Sequence, residues 1–423
     1  MTNSLTKRKN CSALPTGVNW TPVDDVLKQL RKRIAVVVQP EKISFHDCNG
    51  RVLAENISAR SSNPPYTNSA VDGFGFHAPV TEALVKLTLV DGRSAAGKPF
   101  TQEVQRGKCI RIFTGAVIPE GVNTVVLNEE VKVSGNQITL SKPYKIGSNI
   151  RKAGEDCRKG QIIFEAGHIV KPQDLALLSA AGISEVSVRR RLKVGVFSTG
   201  NEVTEAKNPK KKKLSVGEIY DSNRPMLLAL LNKWNFEAVD LGIVPDDVEL
   251  VRSILNAATK DFDALITSGG ASNGAEDYIS KLLKQEGSLH NWRIAVKPGR
   301  PLALGEWNGV PIFGLPGNPV AAFVCTLIFA RPALGVLAGA KWHVPYGFRA
   351  PSYFKKDKKS GRREYLRARL NRHGRVEAFA SEGSGLISSL VWSNGLVELP
   401  DEELELKIGE PIRFIPYSSF DFS

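Results

Sequence analysis

Between Leu192 and Ala330 the chain alternates short strand-like runs with helical ones, and this alternation constrains the fold more than any other feature. LKVGVFSTG, FEAVDLGIV, FDALITSGG, WRIAVKPG and VPIFGLPG read as strands with their following loops. SNRPMLLALLNKW, DDVELVRSILNAAT, EDYISKLLKQ and PVAAFVCTLIFA read as helices, the first capped by Ser222 or Asn223 with Pro225 in its opening turn. Strands that alternate with helices predict a doubly wound parallel α/β sheet with helices on both faces. In such a sheet ligands bind outside the carboxyl ends of the strands. Five segments then fall on one edge: STGNEV (198–203), VPDD (244–247), TSGGASNGAEDY (267–278), KPGRPLALG (297–305) and LPGNPVAAF (315–323).

These segments mix two kinds of group. Ser268, Gly269, Gly270 and Ser272 can present hydroxyls and backbone N–H groups to an anion. Glu202, Asp246 and Asp277 would repel a bare anion. A divalent cation between carboxylates and phosphate oxygens satisfies both, and Mg²⁺ prefers such hard oxygen ligands. Lys297 and Arg300 add positive charge for an oxyanion, and Pro316, Gly317, Asn318 and Pro319 lead into a helix whose first N–H groups offer another anion contact. Each member also has a plainer reading. The glycine loop can be an ordinary turn, Asp246 an N-cap, Glu202 surface charge, and LPGNP a tight turn and helix start. TNSAVDGF (67–74) reads as a structural Asx turn around Asn68, Ser69, Asp72 and Gly73.

The rest of the chain differs in pattern. Residues 1–20 read as a loose tail. A helix is expected from Thr21, as N-cap, to about Val37, and KPQDLALLSAA (171–181) as a second helix that packs against it. Between Lys86 and Ile150, short β-rich runs punctuated by Gly and Pro predict an inserted all-β domain, and the region after Trp342 turns basic and β-rich again. The boundaries expected are 21–60 plus 152–187, 61–151, 188–341 and 342–423. At 423 residues several domains are needed, and a net charge of +14 favours anionic partners. The basic runs, including KKKK (210–213) and KKDKKSGRR (355–363), lack interleaved aromatics, which argues against specific nucleic-acid binding. Five scattered cysteines without CxxC, and six histidines without HExxH, give no support to a disulfide framework or a zinc hydrolase. The first twenty residues lack an apolar signal core, and the apolar stretch 320–340 contains Arg331 and Pro332, so a buried helix, no membrane span and a cytoplasmic location are expected.

NSAVDGF, FTGAVIPEG, RKAGEDC, STGNEV, IYDSNRPML, TSGGASNGAEDY, KPGRPLALG, LPGNPVAAF and GRREYLRARL occur in that order from about Trp20 to Pro416. Together they resemble the molybdopterin molybdenumtransferase family, the MoeA type, related to the gephyrin E domain. The resemblance implies a four-domain subunit with a MogA/MoaB-like α/β domain, a dimerisation domain, the β-rich insertion and a C-terminal β-barrel. It implies a homodimer whose site lies at the subunit interface. It also implies the reaction: molybdate and adenylylated molybdopterin, with a divalent cation such as Mg²⁺, give molybdenum cofactor and AMP. By motif, Asp72, Thr114 and Asp156 resemble functional positions of the first half. Glu202, Asp246 and Asp277 resemble the cation-holding acidic cluster, Pro316 to Pro319 the loop that cradles the pterin nucleotide, and Lys297 and Arg300 the basic pair near molybdate. Arg363 and Ser384 resemble oxyanion contacts of the C-terminal domain. Other proteins of the cofactor pathway are implied as partners.

Several positions depart from the family pattern. Val71 stands for a common methionine, Thr67 for an aspartate, Arg300 for a lysine, Asn201 for an aspartate and Ala275 for a glutamate. The last two remove carboxylates from the acidic cluster, with Glu276 one position on. They keep a second reading open: a family member that binds the cofactor or acts as a scaffold without turnover.

Overall fold

The computed structural model describes residues 20–80, 84–206, 214–270, 277–299 and 301–421. The chain forms two compact units. One contains Met1–Glu41, Gly50–Val52 and Arg189–Ser423, the other Lys42–Asn49 and Leu53–Val188.

The first unit is built on a six-stranded sheet. Its strands are β1 (Lys193–Thr199), β2 (Glu237–Val244), β3 (Ala264–Ser268), β4 (Ser288–Arg293), β5 (Pro301–Trp307) and β6 (Val310–Leu315), in the spatial order β2-β1-β3-β6-β5-β4. The first four in that order run parallel, as the alternation predicts, whereas β5 and β4 add an antiparallel edge. β5 is read as loop in the sequence. Asn308 and Gly309, at φ 49° and 78°, make the two-residue turn that folds it back on β6. Ala303 therefore pairs with Gly314 near the end of β6, so the chain entering β5 still starts at the edge where the parallel strands finish. WRIAVKPG is not one strand. After β4, Val296–Lys297 leaves the sheet and pairs with Arg363–Leu370.

Helices α1 (Asn223–Lys233), α2 (Val248–Ala258), α3 (Tyr278–Gln285) and α4 (Pro319–Leu337) cover the two faces. Alternation along the strands decides which residue faces which layer. On β3, Ala264 and Ile266 join the core that contains Leu227 and Leu231 of α1 and Val320 and Val324 of α4. Leu265 between them joins Val251 and Leu255 of α2 and Ile279 and Leu282 of α3. α4 is apolar enough to suggest a membrane span, with a mean hydropathy of 2.0, but 94% of that stretch is buried inside this unit. Its apolarity is that of a helix enclosed on all sides.

The helix near the start differs from expectation in two ways. It spans Val23–Arg33 with Pro22 at its N-cap, because Thr21 is drawn into a bridge with Ile294. Its Val23, Val26 and Leu30 belong to the α/β core, whereas Leu178 of helix Pro172–Ala180 belongs to a core of the second unit. The two helices therefore belong to different cores. The C-terminal region forms a sheet in the order Val296–Lys297, Arg363–Leu370, Gly395–Leu399, Pro411–Pro416, Phe348–Pro351, with Val376–Ala378 against Arg363–Leu370. The second unit holds a six-stranded β sheet from Gly73 to Leu140, as the inserted β-rich runs predict, around Phe74, Phe76, Cys109 and Ile138.

Candidate functional site

At the carboxyl edge of the parallel strands lies a cleft of about 650 Å³, lined by residues of the first unit alone. Its floor is built from three strand ends. β1 supplies Ser198 and Thr199, β3 supplies Ser268 and Gly269, and the segment after β6 supplies Pro316, Gly317, Asn318 and Pro319. The floor is tight. Gly269 and Gly270 sit at φ 93° and 65°, and a Cβ on Gly269 would stand 2.7 Å from the Thr199 carbonyl. Glycine is needed there both for the backbone conformation and for the close approach of two loops.

Asn223, at the start of α1, staples this floor. Its Nδ2 donates to Ser268 Oγ and to the Gly317 carbonyl, both at 2.7 Å. Its Oδ1, and the hydroxyls of Ser198 and Thr199, are buried and find no hydrogen-bond partner within the described protein. These three residues are at most 6% exposed and all line the cleft. Unsatisfied buried polar atoms are costly, so a cluster of them beside an open cleft marks groups that a bound ligand would satisfy.

The opposite wall is charged. Lys297, Arg362, Glu382 and Ser384 line it. Lys297 Nζ donates to Glu382 at 2.6 Å and to Glu364 at 3.2 Å, and Lys356 Nζ pairs with the same two carboxylates. Burial works to raise the Glu382 pKa, but hydrogen bonds from Lys297 and Lys356 outweigh it and leave the carboxyl below its ordinary value. Nearby Cys325 offers no thiolate, since burial pushes its pKa up to about 12.

Of the residues singled out from sequence, Glu202, Ser268, Gly269, Lys297, Pro316, Gly317, Asn318, Pro319 and Ser384 line the cleft. Gly270 follows directly in the floor loop. Arg363 does not join them. Its guanidinium makes a two-bond pair with Asp24 at 2.6 and 2.8 Å and reaches Asp401 at 2.9 Å. Arg362, one residue earlier and 6% exposed, lines the cleft instead. Neighbouring residues of an extended chain point to opposite sides, and the RR pair leaves that choice open until the register is fixed. Ser272, Arg300, Ala275, Glu276 and the Lys210–Lys213 run lie outside the described residues.

Among the described residues no group of three or more His, Cys, Asp or Glu side chains is placed to hold a metal ion. Asp246 and Asn201 bond reciprocally: Asp246 Oδ2 accepts the Asn201 N–H at 3.2 Å, and Asn201 Oδ1 accepts the Asp246 N–H at 3.1 Å. The helix cap is Asp247, whose Oδ1 accepts from Glu249 and Leu250. Asp277 stands at the N-cap of α3 without a side-chain capping bond. Asn201 therefore supplies the side-chain acceptor that an aspartate there would supply.

In the second unit, Asp72 Oδ1 accepts from both the amide and the hydroxyl of Thr114, each at 2.7 Å. Those two bonds hold its pKa below the ordinary carboxylate value. TNSAVDGF is thus not simply a self-contained turn, because Asp72 is tied to the FTGA loop. Asp156 Oδ2 accepts from Asn63 at 2.7 Å. Ser198 and Thr199 lie in the STGNEV edge segment but are not singled out by sequence, and Asn223 and Arg362 lie outside the five edge segments. Asn223 was visible only as a helix cap, and its buried amide reveals itself once the loops converge.

Comparisons with known proteins agree along the chain. The MoeA N-terminal region (domain I and II) matches residues 21–182, a "Probable molybdopterin binding domain" residues 195–335, and the MoeA C-terminal region (domain IV) residues 349–417. A molybdopterin molybdenumtransferase of Haemophilus influenzae is 36% identical over 403 residues, covering 94% of this chain and 98% of that one. A molybdopterin molybdenumtransferase 2 of Mycobacterium tuberculosis is 31% identical over 389 residues, covering 89% and 94%. The crystal structure of a molybdopterin biosynthesis moeA protein from Pyrococcus horikoshii OT3 superposes with a TM-score of 0.81 at 31% identity, covering 94% of this chain and 100% of that one.

Proposed function

The chain belongs to the MoeA family and so to molybdenum cofactor biosynthesis, and on that premise we propose that it inserts molybdate into adenylylated molybdopterin and releases AMP. The observation that carries this reading is the cleft floor, where Ser198 Oγ, Thr199 Oγ1 and Asn223 Oδ1 are buried, without a hydrogen-bond partner among the described residues, and beside an open volume. The ligand this fits is rich in polar edges, as a pterin phosphate is. Donors from the hydroxyls and the floor amides hold its phosphates, and Asn223 fixes two of the loops that make those contacts. Lys297, Arg362 and Ser384 on the facing wall suit an oxyanion held beside the pterin. Water attacks the adenylyl phosphorus, its bond to the molybdopterin phosphate oxygen breaks and AMP leaves, while the two dithiol sulfurs bind molybdenum and their protons leave with one molybdate oxygen as water. Catalysis on this reading is positional and electrostatic, with no protein nucleophile.

A divalent cation would arrive with the phosphates rather than reside in a ready cage, since the described carboxylates form no group of three. Asp72, Thr114 and Asp156 would be contributed by a second copy of the chain in a homodimer. The test incubates purified protein with adenylylated molybdopterin, molybdate and Mg²⁺ and measures AMP. Release that depends on molybdate and stops with EDTA is expected. AMP no higher than in a no-protein control refutes the proposal. Mixing Asp72→Ala and Asn223→Ala subunits should restore part of the activity, and no restoration would refute the shared site.

A further inference from the structure

Lys297, the lysine of the cleft's basic wall, is already paired. Lys297 and Lys356 face Glu364 and Glu382, two positive charges against two negative. The two carboxylates are not equivalent. Glu364 is 8% exposed by its side chain and is held between both lysines, at the inner side of the cluster. Glu382 is 39% exposed and lies between the cleft and an adjoining hollow of about 630 Å³ that Lys297 and Arg362 also line. The backbone around Glu382 is pinned. Arg367 donates to the carbonyls of Ser381 and Gly383, and the Ser384 carbonyl accepts from Val320. Only the Glu382 side chain has to turn for it to leave the lysines.

We infer that Glu382 is an internal counterion that occupies the oxyanion's place on Lys297 and Lys356, and that a tetrahedral dianion binds by displacing it. The inference rests on the reading that this wall takes an oxyanion. A carboxylate bridging two ammonium groups presents two oxygens where the dianion would present two of its own. With Glu382 in place, an added dianion meets two lysines already balanced by two carboxylates, one of them Glu382 on the cleft itself. With Glu382 turned into water, it meets two ammonium groups that keep only Glu364 as counterion. The empty site thus avoids two uncompensated lysines, and anion binding is weakened by the exchange.

The test titrates molybdate into the full-length wild type, Glu382→Gln, Glu382→Ala and Lys297→Ala by calorimetry, with circular dichroism confirming folding. Glutamine keeps the shape and removes the charge. Loss of one partly exposed ion pair predicts binding about three- to tenfold tighter in both Glu382 variants, and Lys297→Ala is expected to bind more weakly than wild type. If Lys297→Ala weakens binding while both Glu382 variants bind equally or more weakly than wild type, the counterion role is overturned and the oxyanion wall stands. If none of the four proteins binds molybdate, the oxyanion reading falls, and the counterion role with it.

Discussion

Replacing Asn223 tests whether one buried amide holds the cleft floor together. In Asn223→Ala two 2.7 Å hydrogen bonds disappear, and their partners differ in environment. Ser268 is 4% exposed, so water cannot easily take the place of the lost donor, and the cost is about 1–3 kcal/mol. Gly317 is exposed and can turn to water, so that bond costs only about 0.5–1 kcal/mol. Together the two losses cost about 1.5–4 kcal/mol. Asn223→Asp keeps the shape but sets an oxygen, in place of the donating nitrogen, against the Gly317 carbonyl, and brings a charge into a buried site. It should therefore cost more than alanine. Trp20, Trp234, Trp292, Trp307, Trp342 and Trp392 are the six tryptophans, and all lie in the unit that carries the cleft. Urea unfolding followed by tryptophan fluorescence thus reports that unit without the other. The midpoint of Asn223→Ala should fall by about 1 M urea, with AMP release lost in parallel. An unchanged midpoint, or an aspartate variant milder than alanine, would show that Asn223 is not the staple.

Asn201→Ala should cost about 1 kcal/mol by the same fluorescence assay, because the Asp246 amide loses its acceptor, whereas Asn201→Asp should cost less; equal losses would refute the stapling role. Gly269→Ala places a Cβ against the Thr199 carbonyl at φ 93°, so a loss of about 2 kcal/mol or more is expected, and an unaltered unfolding midpoint would contradict the geometry. His343 donates to the Ser419 carbonyl at 2.7 Å; burial, then the Arg331 charge, depress its pKa, so its neutral form is the folded one. Its contribution is complete above the ordinary histidine value and is lost as pH falls through the depressed one. Thermal unfolding between pH 7.5 and 5.5 should be less pH-dependent in His343→Gln, and an identical pH profile would refute the assignment.

The alternating strand and helix signals between Leu192 and Ala330 determined the α/β layers, because period-two and period-3.6 apolar patterns are local and each needs only one buried face to be read. The same signals placed Ser268, Gly269, Lys297 and the LPGNP turn on one edge, since the direction of parallel strands follows from chain order. The Asn-Gly turn at Asn308 was equally local, yet β5 was read as loop because its neighbour's motif drew it into the site. What lay beyond the sequence depended on register and on contacts between distant segments. Arg362 and Arg363 are alike as letters. Only the register of Arg363–Leu370 sends one to the cleft and the other to Asp24. Asp246 and Asp277 read as parts of one acidic cluster; in the fold Asp246 bonds Asn201, Asp277 stands at a helix start, and the described residues form no metal-ligating group of three. The carboxylates that do meet the basic wall, Glu364 and Glu382, come from the C-terminal sheet and the loop beyond it, more than sixty residues from Lys297. Sequence thus decided which elements form and which edge they open on. Tertiary structure decided which charges face each other, because that depends on distances between side chains that no local pattern encodes.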